Sequence, residues 1–301
     1  MTLVSLAELA TILHLLIQLL LWPPAVLLAL LLVLARYSQA ARDPACLDHP
    51  LRLPRLLRDL SLAGLEYLCC LLNLLLFPLG CLPPTRWRHR PKRRTLILLH
   101  GLYFNRASLF WLQLRLRLHG LRVITPAFSL WHNIESLTEA LDHQISALRL
   151  EQGVEQVDLL GYGFGGLILR NYVQRRGGAN HIRQAICLGC AHQGSDLAVF
   201  APTRLARHLR RNDPLLIELN RLPWPSQVAL ASIRAADDLL IQPPEAARLP
   251  LGQDMVIANC GHLLLLYHPA TFSALQQILV GGAPATAPEQ ATTNQHSLPA
   301  S

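Results

Sequence analysis

The segment from Leu159 to Arg170 constrains the fold of this chain more than any other part of it. Its sequence is LLGYGFGGLILR, an apolar run followed by a corner with four glycines in six residues and then by a helix-compatible stretch. Glycine permits tight turns and the close approach of two backbones. The segment therefore predicts a buried strand, a tight turn and a helix in direct succession.

Two kinds of site use such a corner. One is the G-x-S-x-G turn, which lifts a serine nucleophile above the edge of a sheet. Gly161 and Gly165 match this pattern, and Gly163 stands where the serine belongs. The other is the dinucleotide-binding pattern G-x-G-x-x-G, which positions 161, 163 and 166 match.

The dinucleotide pattern makes a further demand that this chain does not meet. An acidic residue about 20 positions beyond the glycines normally binds the ribose hydroxyls. No Asp or Glu occurs between Asp158 and Asp196. The sequence therefore favours the nucleophile turn, and a nucleotide-binding module that uses Gly161, Gly163 and Gly166 stays open as an alternative.

The first 85 residues carry most of the apolar excess of this 301-residue chain. No charged residue occurs between Glu8 and Arg36, which is longer than the roughly 20 residues that a membrane span needs. A second apolar segment, Leu60–Leu82, is interrupted by Glu66 and Asn73. Basic residues flank this segment on both sides and conflict with a full crossing, so we expect a re-entrant or interfacial helix.

A dense basic block, 86–94, follows the apolar region and accounts for much of the net charge of +8. Its position directly after an apolar segment favours contact with anionic lipid rather than with nucleic acid. The seven cysteines suggest no disulfide framework, which fits a reduced, cytosol-facing domain. We expect membrane-anchoring helices in 1–85 and a basic linker in 86–94.

From Thr95 onward the sequence alternates between short apolar strands and helical periodicity. This alternation predicts an α/β fold with a mainly parallel, doubly wound sheet in 95–281, followed by a disordered tail in 282–301. Asn133 is a predicted N-cap and Gly153 a predicted stop of one helix. The predicted strands are Thr95–Leu99, Arg122–Thr125, Val157–Leu160, Ile182–Leu188, Gln227–Ile233 and Met255–Asn259.

An acid and a histidine follow the glycine-rich corner in the order that a triad hydrolase requires. Asp238 lies after the predicted strand 227–233, and His262 lies after the next one. Loops at the carboxyl ends of parallel strands form the sites of open α/β sheets. A loop after the first strand, at His100-Gly101, could supply an oxyanion donor.

Together these motifs resemble the α/β-hydrolase superfamily, and within it the bacterial lipase and esterase branch. The resemblance covers about 95–280 and implies Asp238 as the triad acid and His262 as the base, with Asp237 as the alternative acid. It also implies an oxyanion hole formed by the backbone N–H groups of Leu102 and Phe164. The motifs are His100-Gly101, the corner at 161–166, the segment 188–195, Asp238 followed by Pro243, and Gly261-His262.

Gly163 departs from the family because it has no hydroxyl, so no acyl-enzyme can form there. Loss of the serine costs about 10⁶ in turnover in a well-studied protease. We therefore expect a membrane-anchored, lipase- or esterase-like domain that is inactive or strongly impaired and that binds a lipid, an acyl ester or a protein partner. An active serine esterase with a displaced or mutated nucleophile is the alternative. No cofactor, metal or nucleic acid is implied, and the expected location is the bacterial inner membrane with the domain facing the cytoplasm.

Other reactive residues carry weaker predictions. Ser195 lies in a loop that is structural in the resembled family, so we do not expect it to be the nucleophile. Cys187 and Cys190 form a C-x-x-C pattern at a strand end rather than at a helix start, which disfavours redox activity. His268 precedes Pro269 and is predicted to cap a helix.

The segment 202–225 lies where the resembled family carries its lid. Arg204, Arg207 and Arg211 fall on one helical face in this segment. Solvation of this face and contact with lipid headgroups both stay open.

Overall fold

The computed structural model describes residues 53–82, 94–128 and 132–281, with backbone alone for 53–56. The predicted membrane span before Arg36, the basic residues 86–93 and the predicted disordered tail lie outside the described residues. The description therefore covers the second apolar segment and the whole predicted α/β region except 129–131.

Six parallel strands form the sheet, in the order β2-β1-β3-β4-β5-β6. The sequence prediction of a parallel, doubly wound sheet is confirmed. Two of the predicted strands have the observed bounds, and the others differ by one to two residues at one or both ends. The strands are β1 Thr95–Leu99, β2 Arg122–Ile124, β3 Val157–Tyr162, β4 Ile182–Leu188, β5 Ala229–Ala235 and β6 Gln253–Ile257.

Seven α-helices accompany the sheet within the described ranges. Predicted caps bound one of them: the Asn133 side chain accepts a hydrogen bond from the Ser136 N–H at 2.8 Å, and Gly153 ends the helix with a φ of +63°. The helices are α1 Leu53–Cys81, α2 Phe110–Leu118, α3 Ile134–Gln152, α4 Gly165–Arg175, α5 Arg204–Arg207, α6 Pro214–Arg221 and α7 Pro269–Gly281.

Both faces of the sheet are covered, as a parallel sheet requires. Alternate strand residues point to opposite faces: Leu159 packs with α3 and α4 on one face, and Leu160 packs with α2 and α7 on the other. The α1 helix adds Cys70 to this second face. The core thus has two apolar layers, with the sheet between them.

The α1 helix lies against the folded domain along one of its faces. It is long and apolar enough to cross a membrane, but Leu62 and Phe77 are buried while Leu75 and Leu79 are exposed. The two polar residues that interrupt the apolar segment, at positions 66 and 73, are both buried on the domain side. Their presence is explained by contact with the domain.

Arg94, the last residue of the basic block, is part of the folded domain. Its guanidinium donates hydrogen bonds to Asp158 and to Gln184. The Asp158 carboxylate is fully buried and also accepts from Arg183. A buried carboxylate needs such partners. Arg94 therefore compensates the charge of Asp158 inside the domain and does not belong to a lipid-facing linker.

Candidate active site

The glycine-rich corner joins β3 to α4, as the sequence predicts. Gly163 has a φ of +54°, a left-handed conformation that favours glycine. Its N–H donates to the carbonyl of Leu188 at 2.9 Å, and its carbonyl accepts from the Gly166 N–H at 3.1 Å. These bonds fix the turn at the carboxyl edge of the sheet.

The other glycines of the corner are required by packing. A β-carbon at Gly161 would lie 2.5 Å from the backbone of Gly165, and one at Gly166 would lie 2.0 Å from Sγ of Cys190. At Gly163, in contrast, the nearest atom would be Nε2 of His262 at 3.4 Å, an ordinary contact. The glycines at 161 and 166 are therefore required by the packing of the strand–helix corner itself.

A histidine–carboxylate pair lies next to this corner. Nδ1 of His262 is 2.8 Å from Oδ2 of Asp238. The other carboxylate oxygen accepts from the N–H groups of Leu240 and Ile241, both at 2.8 Å. Because Asp238 accepts at Nδ1, the Nδ1 atom carries the proton and Nε2 faces position 163 as an acceptor.

Two opposing effects act on the titration of His262. Burial lowers the pKa of the imidazole, but attraction to the Asp238 carboxylate and the hydrogen bond between them outweigh burial, and the net result is a raised pKa. The Tyr162 hydroxyl also donates to the backbone carbonyl of His262 at 3.1 Å. His262 is thus held at both its ring and its backbone.

Of the two candidate acids, the structure brings Asp238 to the histidine. Asp237 instead points to α1, where its Oδ1 atom lies 3.3 Å from Nη2 of Arg58. Its backbone N–H donates to the carbonyl of Cys260 at 3.1 Å. Adjacent positions in a loop point to different sides, which the sequence pattern cannot resolve.

Leu102 and Phe164, the predicted oxyanion donors, both border the cavity in front of Gly163. Gly101 is also close, since its Cα would be 3.7 Å from a β-carbon at Gly163. The corner and the loop after β1 therefore lie next to each other at the cavity.

A cavity of about 440 Å³ opens in front of the histidine. Its polar side chains are those of Tyr103, Tyr162, Ser195 and His262, and among the described residues no acidic or basic side chain other than the imidazole lines it. Such a cavity suits an apolar ligand with one polar group near the histidine. The apolar side chains and glycines of its wall come from Gly101, Leu102, Phe104, Gly163, Phe164, Gly189, Ala191, Leu197, Ala198, Phe200, Ala201, Pro202, Ala206, Leu209, Leu240 and Ile241.

Ser195 lies at this cavity, but its hydroxyl is bonded to the loop that contains Asp238. Its Oγ atom donates to the carbonyl of Leu240 at 2.8 Å and accepts from the N–H groups of Gln242 and Leu197 at 3.0 and 3.3 Å. A hydroxyl has one proton to donate and two lone pairs, so all of its capacity is used. These bonds agree with the prediction that Ser195 and its own loop have a structural role.

Cys187, Cys190 and His192 bring their ligand atoms within 4.8 Å of one another. All three are buried, but the Arg170 guanidinium lies 3.4 Å from Nδ1 of His192, and the corner packs directly on Sγ of Cys190. A positive charge and close packing both oppose an added cation. The cluster is a packed part of the core beneath the corner.

The segment predicted as a lid forms one wall of the cavity. Ala206 and Leu209 face the cavity, while Arg204 and Arg207 are exposed. Arg211 lies beyond α5 and pairs with Asp196 at 2.9 Å. The apolar side of this segment thus faces the cavity, and all three arginines are exposed.

One residue at the site escapes the sequence-based prediction. Glu66 of α1 is buried, and its two carboxylate oxygens accept from the N–H groups of Leu263 and Leu264, each at 2.8 Å. These amides directly follow the candidate base. The sequence did contain a signal for this contact, a carboxylate inside an apolar segment. When such a group is buried, it needs a hydrogen-bonding partner.

Comparisons with known proteins find solved structures with a similar fold. A lipase from Bacillus licheniformis in its propeptide form superposes with a TM-score of 0.56 at 15% identity, over 68% of this chain and 54% of that one. Its mature form gives 0.55 at 14% identity, over 65% and 95%. Aspergillus fumigatus lipase B gives 0.53 at 14% identity, over 67% and 56%.

This chain spans about half the length of the first of these proteins. No family model matches the sequence, and no curated protein matches it either. The fold is therefore recognised by structure rather than by sequence. The six-stranded parallel sheet, the glycine corner and the similarity to these structures together show that this chain has the fold of the α/β-hydrolase superfamily.

Proposed function

We propose that this protein is a membrane-associated, lipase- or esterase-like domain that binds an acyl chain or a neutral acyl ester in the cavity beside His262. The observation that carries the proposal is an almost wholly apolar cavity of about 440 Å³ with the imidazole and Gly163 in its wall. The ligand's carbonyl would lie near the N–H groups of Leu102 and Phe164, and its acyl chain along the apolar wall.

Gly163 makes the protein a binder rather than an efficient hydrolase. Acyl transfer through a covalent intermediate needs a nucleophile within hydrogen-bonding distance of the base, and glycine supplies none. The pair of His262 and Asp238 can still polarise a water molecule, and the N–H groups can still stabilise an oxyanion. Such remnants of a triad retain only a small part of its catalysis.

The membrane association rests on apolar surface that the domain leaves uncovered. Leu68, Leu75 and Leu79 are exposed along the outer face of α1, and the uncharged stretch between Glu8 and Arg36 precedes this helix in sequence. The basic residues 86–93 follow it. We propose that α1 lies in the membrane interface with this face in lipid, and that the basic block places the domain on the cytoplasmic side of a bacterial inner membrane.

The test uses the full chain in detergent micelles with a fluorescent fatty-acyl ester as the probe. We expect saturable binding and turnover close to the uncatalysed rate. A variant that fills the cavity, Ala206→Trp, should abolish binding, whereas Leu150→Trp, at an exposed position on α3, should not.

A fluorophosphonate probe separates the alternatives. The proposal expects no labelling of the chain with Gly163. Strong labelling, or rapid ester hydrolysis that survives His262→Ala, would show that another nucleophile acts and would overturn the proposal. Saturable binding of a nicotinamide dinucleotide in the same cavity would favour the nucleotide-binding alternative for Gly161, Gly163 and Gly166.

A further inference from the structure

The helix that precedes the α/β domain contributes a side chain to the loop of the candidate base. Glu66 lies near the middle of α1, and His262 follows β6 at the far end of the sequence. Both oxygens of the Glu66 carboxylate accept backbone N–H groups of the two residues after His262, at 2.8 Å each. One carboxylate thus spans two consecutive amides.

The fit between the carboxylate and this loop is close. A β-carbon at Gly261 would lie 2.5 Å from Oε1 of Glu66. Glycine at this position is therefore needed for the carboxylate to reach the amides. The residues on both sides of His262 are in contact with a single side chain of α1.

Burial of the Glu66 carboxylate costs free energy, and an apolar side chain at the same position would not carry this cost. Glu66 is 5% exposed, and a buried carboxylate destabilises a fold unless hydrogen bonds compensate it. Leu62, Cys70 and Phe77 already supply an apolar contact surface on the same face. A carboxylate in the middle of this surface is explained by the two amides that it binds.

A second polar contact also holds α1 against the domain, independently of Glu66. The Tyr267 hydroxyl donates to Oδ1 of Asn73 at 3.1 Å, two turns further along the helix. Tyr267 lies five residues beyond the candidate base and does not line the cavity. Asn73 therefore offers a matched control on the same helix face.

We propose that Glu66 is a positioning residue, which holds the backbone after His262 so that the imidazole faces Gly163 and Asp238 at the distances observed. The inference rests on the proposed function for the identity of the base. The α1 helix is then a part of the site as well as an attachment to lipid. Asp238 orients the ring, Tyr162 binds the carbonyl of His262, and Glu66 binds the next two amides.

The first experiment observes His262 directly in the full chain in detergent micelles, so it needs neither ligand nor turnover. In the protein labelled with ¹⁵N-histidine, the Nδ1 proton shared with Asp238 should give a signal well downfield of the amides. His262→Gln assigns the signal. We expect Glu66→Ala to abolish the signal, because the Nδ1 proton then exchanges rapidly with water. Glu66→Gln should shift the signal, because the side chain loses one of its two acceptor oxygens. Asn73→Ala should leave the signal in place.

The second experiment measures positioning through kinetics in the Gly163→Ser background. Glu66→Gln should lower kcat by about 10- to 100-fold, the range that small misplacement of a catalytic group produces, with KM little changed. Glu66→Asp is too short to span both amides and should not restore kcat. Asn73→Ala should keep the parent kcat.

The outcomes separate this inference from the proposed function. An unchanged Nδ1 signal and unchanged kcat in a folded Glu66→Gln protein would overturn the inference. An equal effect of Asn73→Ala would also overturn it, because docking of α1 alone would then explain the result. Failure to bind an acyl ester, or to hydrolyse one in the Gly163→Ser background, would count against the proposed function, while the Nδ1 signal would still report on Glu66.

Discussion

A β-carbon added to Gly163 would lie 3.4 Å from Nε2 of His262, with no steric overlap. A serine at this position can rotate its hydroxyl, one bond beyond the β-carbon, into hydrogen-bonding distance of the imidazole. His262, paired with Asp238, is thus placed to accept a hydrogen bond from a hydroxyl group at position 163.

Gly163→Ser should therefore create an esterase. Loss of the corresponding serine costs about 10⁶ in a protease, so the reverse change should raise kcat on short-chain esters by several orders of magnitude and permit fluorophosphonate labelling. Gly163→Ala is the matched control, because it adds the β-carbon without the hydroxyl. Equal activity of the serine and alanine variants would contradict this interpretation of the site.

The same two variants should lose stability to a similar extent. Gly163 has a φ of +54°, and a left-handed conformation costs a residue with a β-carbon about 1–2 kcal/mol. Urea unfolding at constant pH measures the difference in the free energy of unfolding. If neither variant is destabilised, the turn is not strained and the glycine is not needed for its conformation.

The raised pKa of His262 predicts how the protein responds to pH. Since the folded pKa lies above the ordinary value of 6.5, the ion pair with Asp238 contributes its full stability below that value and loses it as the pH rises through the folded pKa. In the Gly163→Ser protein, kcat/KM should rise over the same pH range, because the neutral imidazole is the base.

Asp238→Asn removes the ion pair and provides the comparison. It should shift the midpoint of the kcat/KM profile to lower pH and flatten the dependence of urea unfolding on pH above 6.5. A midpoint that stays in place would show that Asp238 does not control the titration of His262.

The two neighbouring aspartates should differ sharply in the serine background. Asp238→Asn should lower kcat by about 10⁴, as the equivalent change does in a serine protease, because the imidazole loses its orientation. Asp237→Asn should change kcat little, since this carboxylate faces Arg58 instead, and an exposed ion pair contributes about 0–1 kcal/mol. Similar losses in both variants would contradict the assignment of Asp238.

The sheet and the order of the site residues could be predicted from the sequence because each depends on local signals. Buried strands are short apolar runs, the corner needs glycines, and Asp238 and His262 follow successive strands. The choice between Asp237 and Asp238 depends on which way each side chain points in one loop. That direction is a property of tertiary packing and leaves no trace in the pattern.

The role of α1 could not be predicted for a related reason. Glu66 and Asn73 look like interruptions in a membrane segment when only the local sequence is considered. Their partners, Leu263 and Tyr267, lie about two hundred residues away. A contact of such separation follows from the assembled fold, so the sequence predicted an interfacial helix without predicting what it touches.

The orientation of α1 on a membrane gives the last prediction. Leu75 is 75% exposed on the outer face of this helix, and Leu150 is 87% exposed on α3, across the sheet. In a full-length protein with Cys46, Cys69 and Cys81 changed to serine, a bimane label on Leu75→Cys should be quenched by nitroxide-labelled lipid in vesicles. The label on Leu150→Cys should be quenched by a water-soluble nitroxide instead. If both labels respond to the aqueous quencher alone, the outer face of α1 lies in water, and the proposed contact of this face with lipid is wrong.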